Sequence, residues 1–139
     1  MMRNRIYVTN EDMQRLRQLV ENLQASVTAD TRNLAALEEE LDRAHVVDAK
    51  KIPRDVITLN SQVRIMDLDN GRVFEYEVVY PNTRTHSSAD PLSVLAPLGT
   101  ALLGYRAGDT INWSVPRGKR RLKVLEIIYQ PESKGASAA

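Results

Sequence analysis

The sequence predicts an α+β fold, in which an N-terminal helical hairpin precedes an antiparallel sheet domain with one short helix. Apolar residues first recur at alternating steps of three and four, as on a helix that packs against a partner helix. After Pro53 the apolar period changes to two, the period of a half-buried strand. An apolar segment between Pro97 and Gly104 has the proline start and the glycine end of a short helix.

The helical hairpin is predicted within residues 9–46. Thr9 is placed to cap the first helix, with Asp12 three residues later in the position of a capping-box acid. The poor helix formers at 26–31 separate two apolar series and predict the tip of an antiparallel coiled-coil hairpin. The apolar seam consists of Met13, Leu16, Val20, Leu23 and Val27 in the first helix, and of Leu34, Leu37, Leu41 and Ala44 in the second.

The sheet domain is predicted from four alternating or apolar segments. Residues 62–65 and 74–78 alternate on either side of the turn sequence Asp69-Asn70-Gly71, which is typical of a β-hairpin. Residues 110–115 alternate strictly, and residues 122–129 form a further apolar strand. The predicted short helix lies between these two pairs of strands.

The length of 139 residues limits the chain to one or two small domains. We expect the hairpin domain over residues 1–50, the sheet domain over 54–131 and a disordered tail over 132–139, where small and polar residues dominate.

Composition excludes several classes of function. The formal net charge of +1 is too small for a protein whose main partner is nucleic acid, and we expect no direct sequence-specific binding of DNA or RNA. The absence of cysteine removes disulfides and thiolate chemistry and fits a reducing cytoplasm. No apolar run is long enough for a signal peptide or a membrane span. We therefore expect a cytoplasmic protein with no membrane partner.

Catalytic and metal-binding patterns are also missing from the sequence. There is no phosphate-binding glycine loop, no nucleophile elbow and no zinc-protease helix, so we expect no enzyme, cofactor or metal. His45 and Asp48 have a spacing that could hold a metal weakly, but a surface histidine is the favoured interpretation. His86 lies in a polar segment and has no recognisable acid or oxyanion hole to serve a serine nucleophile.

A basic stretch at 117–123 is the strongest local concentration of charge in the chain. It could meet an acidic surface or phosphate, but we favour a structural interpretation, a turn that leads into a strand with outward Lys and Arg side chains. Trp113 alternates with polar neighbours and is predicted to be a core residue.

The segment 93–109 resembles the C-terminal signature of the Gre transcript-cleavage factors, in which a strand, a short helix, Leu-Leu-Gly and a Gly-Asp turn follow in this order. A helical hairpin precedes that domain in both. The resemblance covers nearly the whole chain. Four blocks are similar specifically to the Rnk type, the regulators of nucleoside diphosphate kinase: residues 56–61, 79–81, 92–97 and 129–132.

The resemblance implies an FKBP-like sheet domain that docks at the rim of the secondary channel of bacterial RNA polymerase, with the hairpin directed toward the pore. By analogy, the docking surface would include the turn formed by Leu95, Ala96 and Pro97. Pro97 matches the pattern of the cleavage factors. Leu95 and Ala96 depart from it, because the cleavage factors carry an acid and a hydroxyl residue there, and this departure puts the polar part of the contact in doubt.

The predicted hairpin tip, at Thr28, Ala29, Asp30 and Asn33, argues against transcript cleavage. Cleavage needs two neighbouring carboxylates to hold a second Mg²⁺. Here Asp30 is followed three residues later by the neutral amide of Asn33, and the arms are shorter than those of the cleavage factors. We therefore expect a non-catalytic polymerase-binding regulator that competes with Gre-type factors and is linked to regulation of nucleoside diphosphate kinase.

Two alternatives stay open. The chain could be an active cleavage factor that uses Asp30 with a neighbouring residue, or an FKBP-like prolyl isomerase. The second alternative is disfavoured because isomerase pockets are lined by aromatic side chains and the chain has one Phe and one Trp.

Overall fold

The computed structural model describes residues 6–24, 31–81, 89–115 and 118–131. Helices and a mixed sheet follow in the order expected of an α+β fold, which confirms the predicted fold class. The elements are β1 (Tyr7–Val8), α1 (Asn10–Gln24), α2 (Thr31–Arg43), β2 (His45–Val46), a 3-10 turn (Ala49–Lys51), β3 (Gln62–Asp67), β4 (Val73–Val79), β5 (Asp90–Ser93), α3 (Pro97–Leu102), β6 (Thr110–Val115) and β7 (Gly118–Tyr129).

Helices α1 and α2 contact each other and run antiparallel. Strand β1 lies just before α1, and β2 lies just after α2. Because these two strands pair with each other, the start of α1 lies beside the end of α2. The N–H of His45 donates to the carbonyl of Ile6 at 2.8 Å, and the N–H of Val47 donates to the carbonyl of Val8 at 3.0 Å. This pairing closes the base of the hairpin. It was not predicted, because two-residue strands leave no periodic signal in a sequence.

The start of α1 is capped as predicted. The side-chain oxygen of Thr9 accepts the backbone N–H of Asp12 at 3.1 Å, which satisfies one of the free donors at a helix N-terminus. The predicted tip region lies outside the described residues as far as Asp30, and α2 begins at Thr31.

The apolar seam of the hairpin is more deeply buried than two helices alone allow. Leu16 and Leu37 are 0 % exposed, and Val20 and Leu41 are also buried. In a pair of helices, a seam side chain keeps one edge open to water unless a third element covers it. These residues belong to one hydrophobic cluster with Val63, Ile65 and other core residues of the sheet, and α2 contacts α3. The base of the hairpin therefore packs against the sheet.

The sheet has five strands in the order β5-β4-β3-β7-β6. The predicted hairpin between β3 and β4 is present, with Val63 opposite Tyr76 and Ile65 opposite Phe74. Strand β7 pairs antiparallel with both β3 and β6, and Val115 opposite Gly118 marks the end of the β6–β7 pairing.

The prediction of a purely antiparallel sheet is wrong at one edge, where β5 pairs in parallel with β4. Residues 80–89 separate the two strands in sequence. Pro91 has no N–H to donate and is tolerated on an edge strand. The alternation pattern of a four-residue strand does not encode its direction relative to its neighbour.

The segment after Pro53 is tied to the end of the sheet. The side-chain amide of Gln130, which is buried, donates to the carbonyls of Pro53 and Val56, each at 2.7 Å. Ile57 donates its N–H to the carbonyl of Tyr105 at 2.9 Å. The predicted connection is thus packed against the sheet along its length. The assignment of separate domains on either side of it stays a prediction.

Within the parts of the chain that the structure describes, none of the helices has the length and apolar character needed to cross a membrane.

We expect Leu37→Ala to destabilise the whole protein by about 2–5 kcal/mol, because it leaves a cavity in a core shared by hairpin and sheet. Leu23→Ala, at a partly exposed seam position, should lower the free energy of unfolding by less than Leu37→Ala does. Urea unfolding would be followed by circular dichroism for the helices and by fluorescence of the single tryptophan, Trp113. The two signals should change together. Loss of the helical signal at a lower urea concentration would show that the hairpin unfolds by itself.

Candidate docking cleft beside the short helix

The turn before α3 presents the three predicted docking residues in sequence at the surface. Leu95 and Ala96 are partly exposed, and Pro97 is exposed at the first position of the helix. Ala96 is the N-cap residue and has no side chain that could cap the helix. Ser93 orders the turn instead. Its hydroxyl accepts the N–H of Leu95 at 3.1 Å, and its carbonyl accepts the N–H of Ala96 at 2.9 Å.

Helix α3 lies so close to this turn that one position accepts only glycine. A Cβ atom added to Gly99 would lie 2.0 Å from the carbonyl oxygen of Ser93, far inside van der Waals contact. Beside it, the buried hydroxyl of Thr100 donates to the carbonyl of Val94 at 2.6 Å. These two contacts fix a six-residue helix that would not be stable by itself.

A cleft of about 320 Å³ opens between α3 and one face of the sheet. Its apolar wall combines Leu98 from α3 with Phe74 and Tyr76, whose rings stack with centroids 6.0 Å apart. The lining residues are Ile65, Asp67, Asn70, Arg72, Phe74, Tyr76, Leu98, Arg120 and Leu122. The predicted docking turn therefore leads directly into a concave, partly aromatic surface, as ligand and partner sites often are.

The polar end of the cleft is formed by a paired carboxylate. Asp67 is 3 % exposed. One of its carboxylate oxygens accepts from the Arg120 guanidinium at 2.8 Å, and the other accepts the N–H of Asp69 at 2.8 Å. Next to it, the backbone N–H and the guanidinium of Arg121 lower the pKa of Asp69. Two arginines of the basic stretch 117–123 are thus bound within the protein, which favours the structural interpretation of that stretch.

Arg72 adds a positive charge at the mouth of the cleft. Its guanidinium carbon lies 5.4 Å from the ring centroid of Phe74, within the range of a cation–π contact. Within the described part of the chain Arg72 makes no ion pair. With Asp67 and Arg120 paired, the cleft has a net positive charge.

The sequence did not predict this cleft. The alternation at 74–78 predicted a strand and placed Phe74 and Tyr76 on one face, but it gave no information on what faces them. The segment 97–104 predicted α3 without its position on the sheet. The cleft arises where these two elements meet, and only Pro97 and its neighbours, identified by resemblance, pointed to this region.

The remaining candidate residues form no site within the described residues. The His45 ring stacks on Tyr7 with centroids 4.9 Å apart. No group of three or more His, Cys, Asp or Glu side chains suited to a metal ion occurs in the described ranges. Thr28, Ala29, Asp30 and His86 lie outside those ranges, and the side chains of Asn33 and Trp113 are not described either.

Comparison with known proteins gives the family. Residues 52–129 match the family model described as "Transcription elongation factor, GreA/GreB, C-term", and residues 4–47 match the model "Rnk N-terminus". The chain belongs to the Rnk type of the Gre family. It is 48 % identical over 101 residues to "Regulator of nucleoside diphosphate kinase" from Escherichia coli K12, a match that covers 72 % of this chain and 74 % of that protein.

More distant relatives are elongation factors. The chain is 33 % identical over 98 residues to "Transcription elongation factor GreA" from Nitratiruptor sp., with 70 % of this chain and 60 % of that protein covered. A solved structure described as "Prokaryotic transcription elongation factor GreA/GreB from Nitrosomonas europaea" superimposes with a TM-score of 0.73 at 37 % identity. This superposition covers 91 % of this chain and all of that one. The resemblance to the Gre factors and to the Rnk type is confirmed.

We expect Gly99→Ala to destabilise the protein by about 3 kcal/mol or more, because the new methyl group collides with backbone that cannot move aside as a side chain could. Ala101→Gly in the same helix is the control. It should cost only about 0.5–1 kcal/mol through backbone entropy. Both values come from urea unfolding of the purified variants. Equal costs for the two variants would contradict the close packing of α3.

Proposed function

We propose that this protein is a non-catalytic transcription regulator that binds bacterial RNA polymerase at the rim of the secondary channel and competes there with Gre-type factors. The observation that carries the proposal is the cleft between α3 and the sheet, whose lining includes Leu98, the residue that directly follows the turn Leu95-Ala96-Pro97. The membership in the Gre family makes the polymerase the natural partner for such a surface.

The cleft provides mainly apolar contact. Leu98, Phe74 and Tyr76 can take up an apolar side chain of the partner, and Arg72 beside them can face an acidic one. Leu95 and Ala96 supply neither the acid nor the hydroxyl that the cleavage factors carry at these positions. We therefore propose that burial of apolar surface provides most of the docking free energy, with large contributions from a few aromatic and aliphatic side chains.

The proposal that the sheet domain is FKBP-like rests on the resemblance to the Gre factors and fits the position of the cleft between helix and sheet. The same cleft is the observation in favour of the alternative, a prolyl isomerase, since it holds Phe74 and Tyr76. Acceleration of proline isomerisation in a short peptide would support that alternative, and Phe74→Ala should then abolish it.

Docking without cleavage is the second part of the proposal. Asp30 at the predicted tip has the amide Asn33 as its neighbour, so that a second Mg²⁺ would be held by one carboxylate. We also propose that the hairpin is a coiled coil too short to reach the catalytic centre. The printed name of the Escherichia coli relative adds a link to nucleoside diphosphate kinase, and binding at the polymerase would make this link a transcriptional one.

We expect Phe74→Ala and Leu98→Ala each to weaken binding to core RNA polymerase by about 10- to 100-fold, since each removes an apolar wall of the cleft. Val73→Ala is the matched control. Val73 lies in the same strand but is 47 % exposed and does not line the cleft. Binding would be measured by fluorescence anisotropy of protein labelled at a single introduced cysteine. The docking proposal fails if the unaltered chain does not bind, or if all three variants bind equally.

In stalled elongation complexes the protein alone should produce no shortening of the nascent RNA, and it should suppress the shortening caused by an added Gre factor as its concentration rises. Phe74→Ala should suppress less at equal concentration. RNA shortening by the protein alone, abolished by Asp30→Ala, would establish the cleavage alternative instead.

A further inference from the structure

A stacked pair of side chains joins the hairpin to the sheet. Arg15 lies on α1, and its guanidinium carbon is 4.2 Å from the ring centroid of Tyr80. Tyr80 directly follows β4, so that its ring belongs to the sheet side of the molecule. Arg15 and Tyr80 also line a cleft of about 410 Å³ on the exposed side of α1.

Tyr80 contributes its ring, and not its hydroxyl group, to this contact. The ring packs against the common hydrophobic core. The hydroxyl oxygen is buried and has no hydrogen-bond partner among the described residues. Burial raises the pKa of Tyr80 to about 12, although the nearby charge of Arg15 acts in the opposite direction. The side chain is therefore neutral at physiological pH, and its ring is the part available to Arg15.

Contacts within the hairpin hold its two helices and its two short strands together. The buried seam, including Leu16 and Leu37, holds α1 on α2, and β1 pairs with β2 at the base. The hydrophobic cluster that joins hairpin and sheet is held by apolar contacts, and the attraction between apolar groups is non-directional. A guanidinium centred over an aromatic ring does have a preferred geometry. The Arg15–Tyr80 stack therefore adds a directional contact to the apolar packing between hairpin and sheet.

We propose that Arg15 and Tyr80 are positioning residues that fix the direction in which the hairpin leaves the sheet, and that docking of both parts on one partner requires this direction. The inference about direction stands on the contact itself. Its consequence for docking rests on the proposed function, because a hairpin that points away from the channel would prevent the cleft and the hairpin from engaging the polymerase together.

The direction can be measured without the polymerase. The chain contains no cysteine, so Glu21→Cys on α1 and Asn112→Cys on β6, both at exposed positions, provide two unique sites for spin labels. Double electron–electron resonance spectroscopy would give the distribution of distances between the two spin labels. Arg15→Ala and Tyr80→Leu should broaden or shift this distribution. Tyr80→Phe, which keeps the ring, should leave it unchanged.

Arg17→Ala is the matched control, because it removes the same side chain from the same helix. Arg17 pairs with Asp42 of α2 at 2.8 Å and thus lies within the hairpin, where an exposed ion pair contributes little. Arg17→Ala should leave the distance distribution as it is. If Arg15→Ala also leaves it unchanged, the stack does not fix the direction and the inference is wrong.

The affinity for core RNA polymerase then tests whether docking requires this direction of the hairpin. Arg15→Ala and Tyr80→Leu should weaken binding by roughly 2- to 30-fold, the range expected for loss of one cation–π contact, while Tyr80→Phe and Arg17→Ala bind as the unaltered chain does. Broadened distances with unchanged affinity would overturn the link to docking. Absence of binding by the unaltered chain would refute the proposed function, and the distance measurements would still decide whether the stack orients the hairpin.

Discussion

The hydrophobic core that the hairpin shares with the sheet is the constraint on which the rest of the molecule depends. Two helices of 15 and 13 residues are marginal in water by themselves. Here the complete burial of Leu16 and Leu37 requires the sheet and α3 as a third layer. The same packing that stabilises the hairpin also attaches it to the sheet. The contacts that stabilise the hairpin therefore also hold it against the sheet, and the Arg15–Tyr80 stack adds one contact of preferred geometry between the two.

The cleft beside α3 also depends on the packing of α3 against its neighbours. Helix α3 touches α2 on one side and the turn before it on the other, and Gly99 allows it to approach the carbonyl of Ser93 without a side chain between them. Leu98 is then held opposite Phe74 and Tyr76 at a separation that leaves a cleft. A larger residue at position 99 would move α3 outward and change the width of the cleft, although it touches none of the lining side chains.

The sequence contained the elements but not their arrangement. Periodicity was sufficient to predict α1, α2, the β3–β4 hairpin and β7, because each has a repeating apolar side. The β1–β2 pair escaped prediction because two residues cannot show a period, and the direction of β5 because the alternation pattern of a four-residue strand does not encode it. For the candidate site, resemblance identified Leu95, Ala96 and Pro97, whereas Phe74 and Leu98 come together only through packing between segments distant in sequence.

The ion pairs of the sheet domain, like its apolar residues, favour a cleft that binds mainly through apolar contact. The basic stretch 117–123 could have met phosphate or an acidic surface, but the favoured structural interpretation agrees with the ion pairs of Arg120 with Asp67, at the end of β3, and of Arg121 with Asp69, in the following turn. To release them for a partner would leave Asp67 as an unpaired buried carboxylate, which costs several kcal/mol. The pairs instead connect two hairpins of the sheet and shape one end of the cleft. Among the described residues that line the cleft, Arg72 is the cation without an ion pair, so the proposed docking would depend on shape and apolar contact more than on charge.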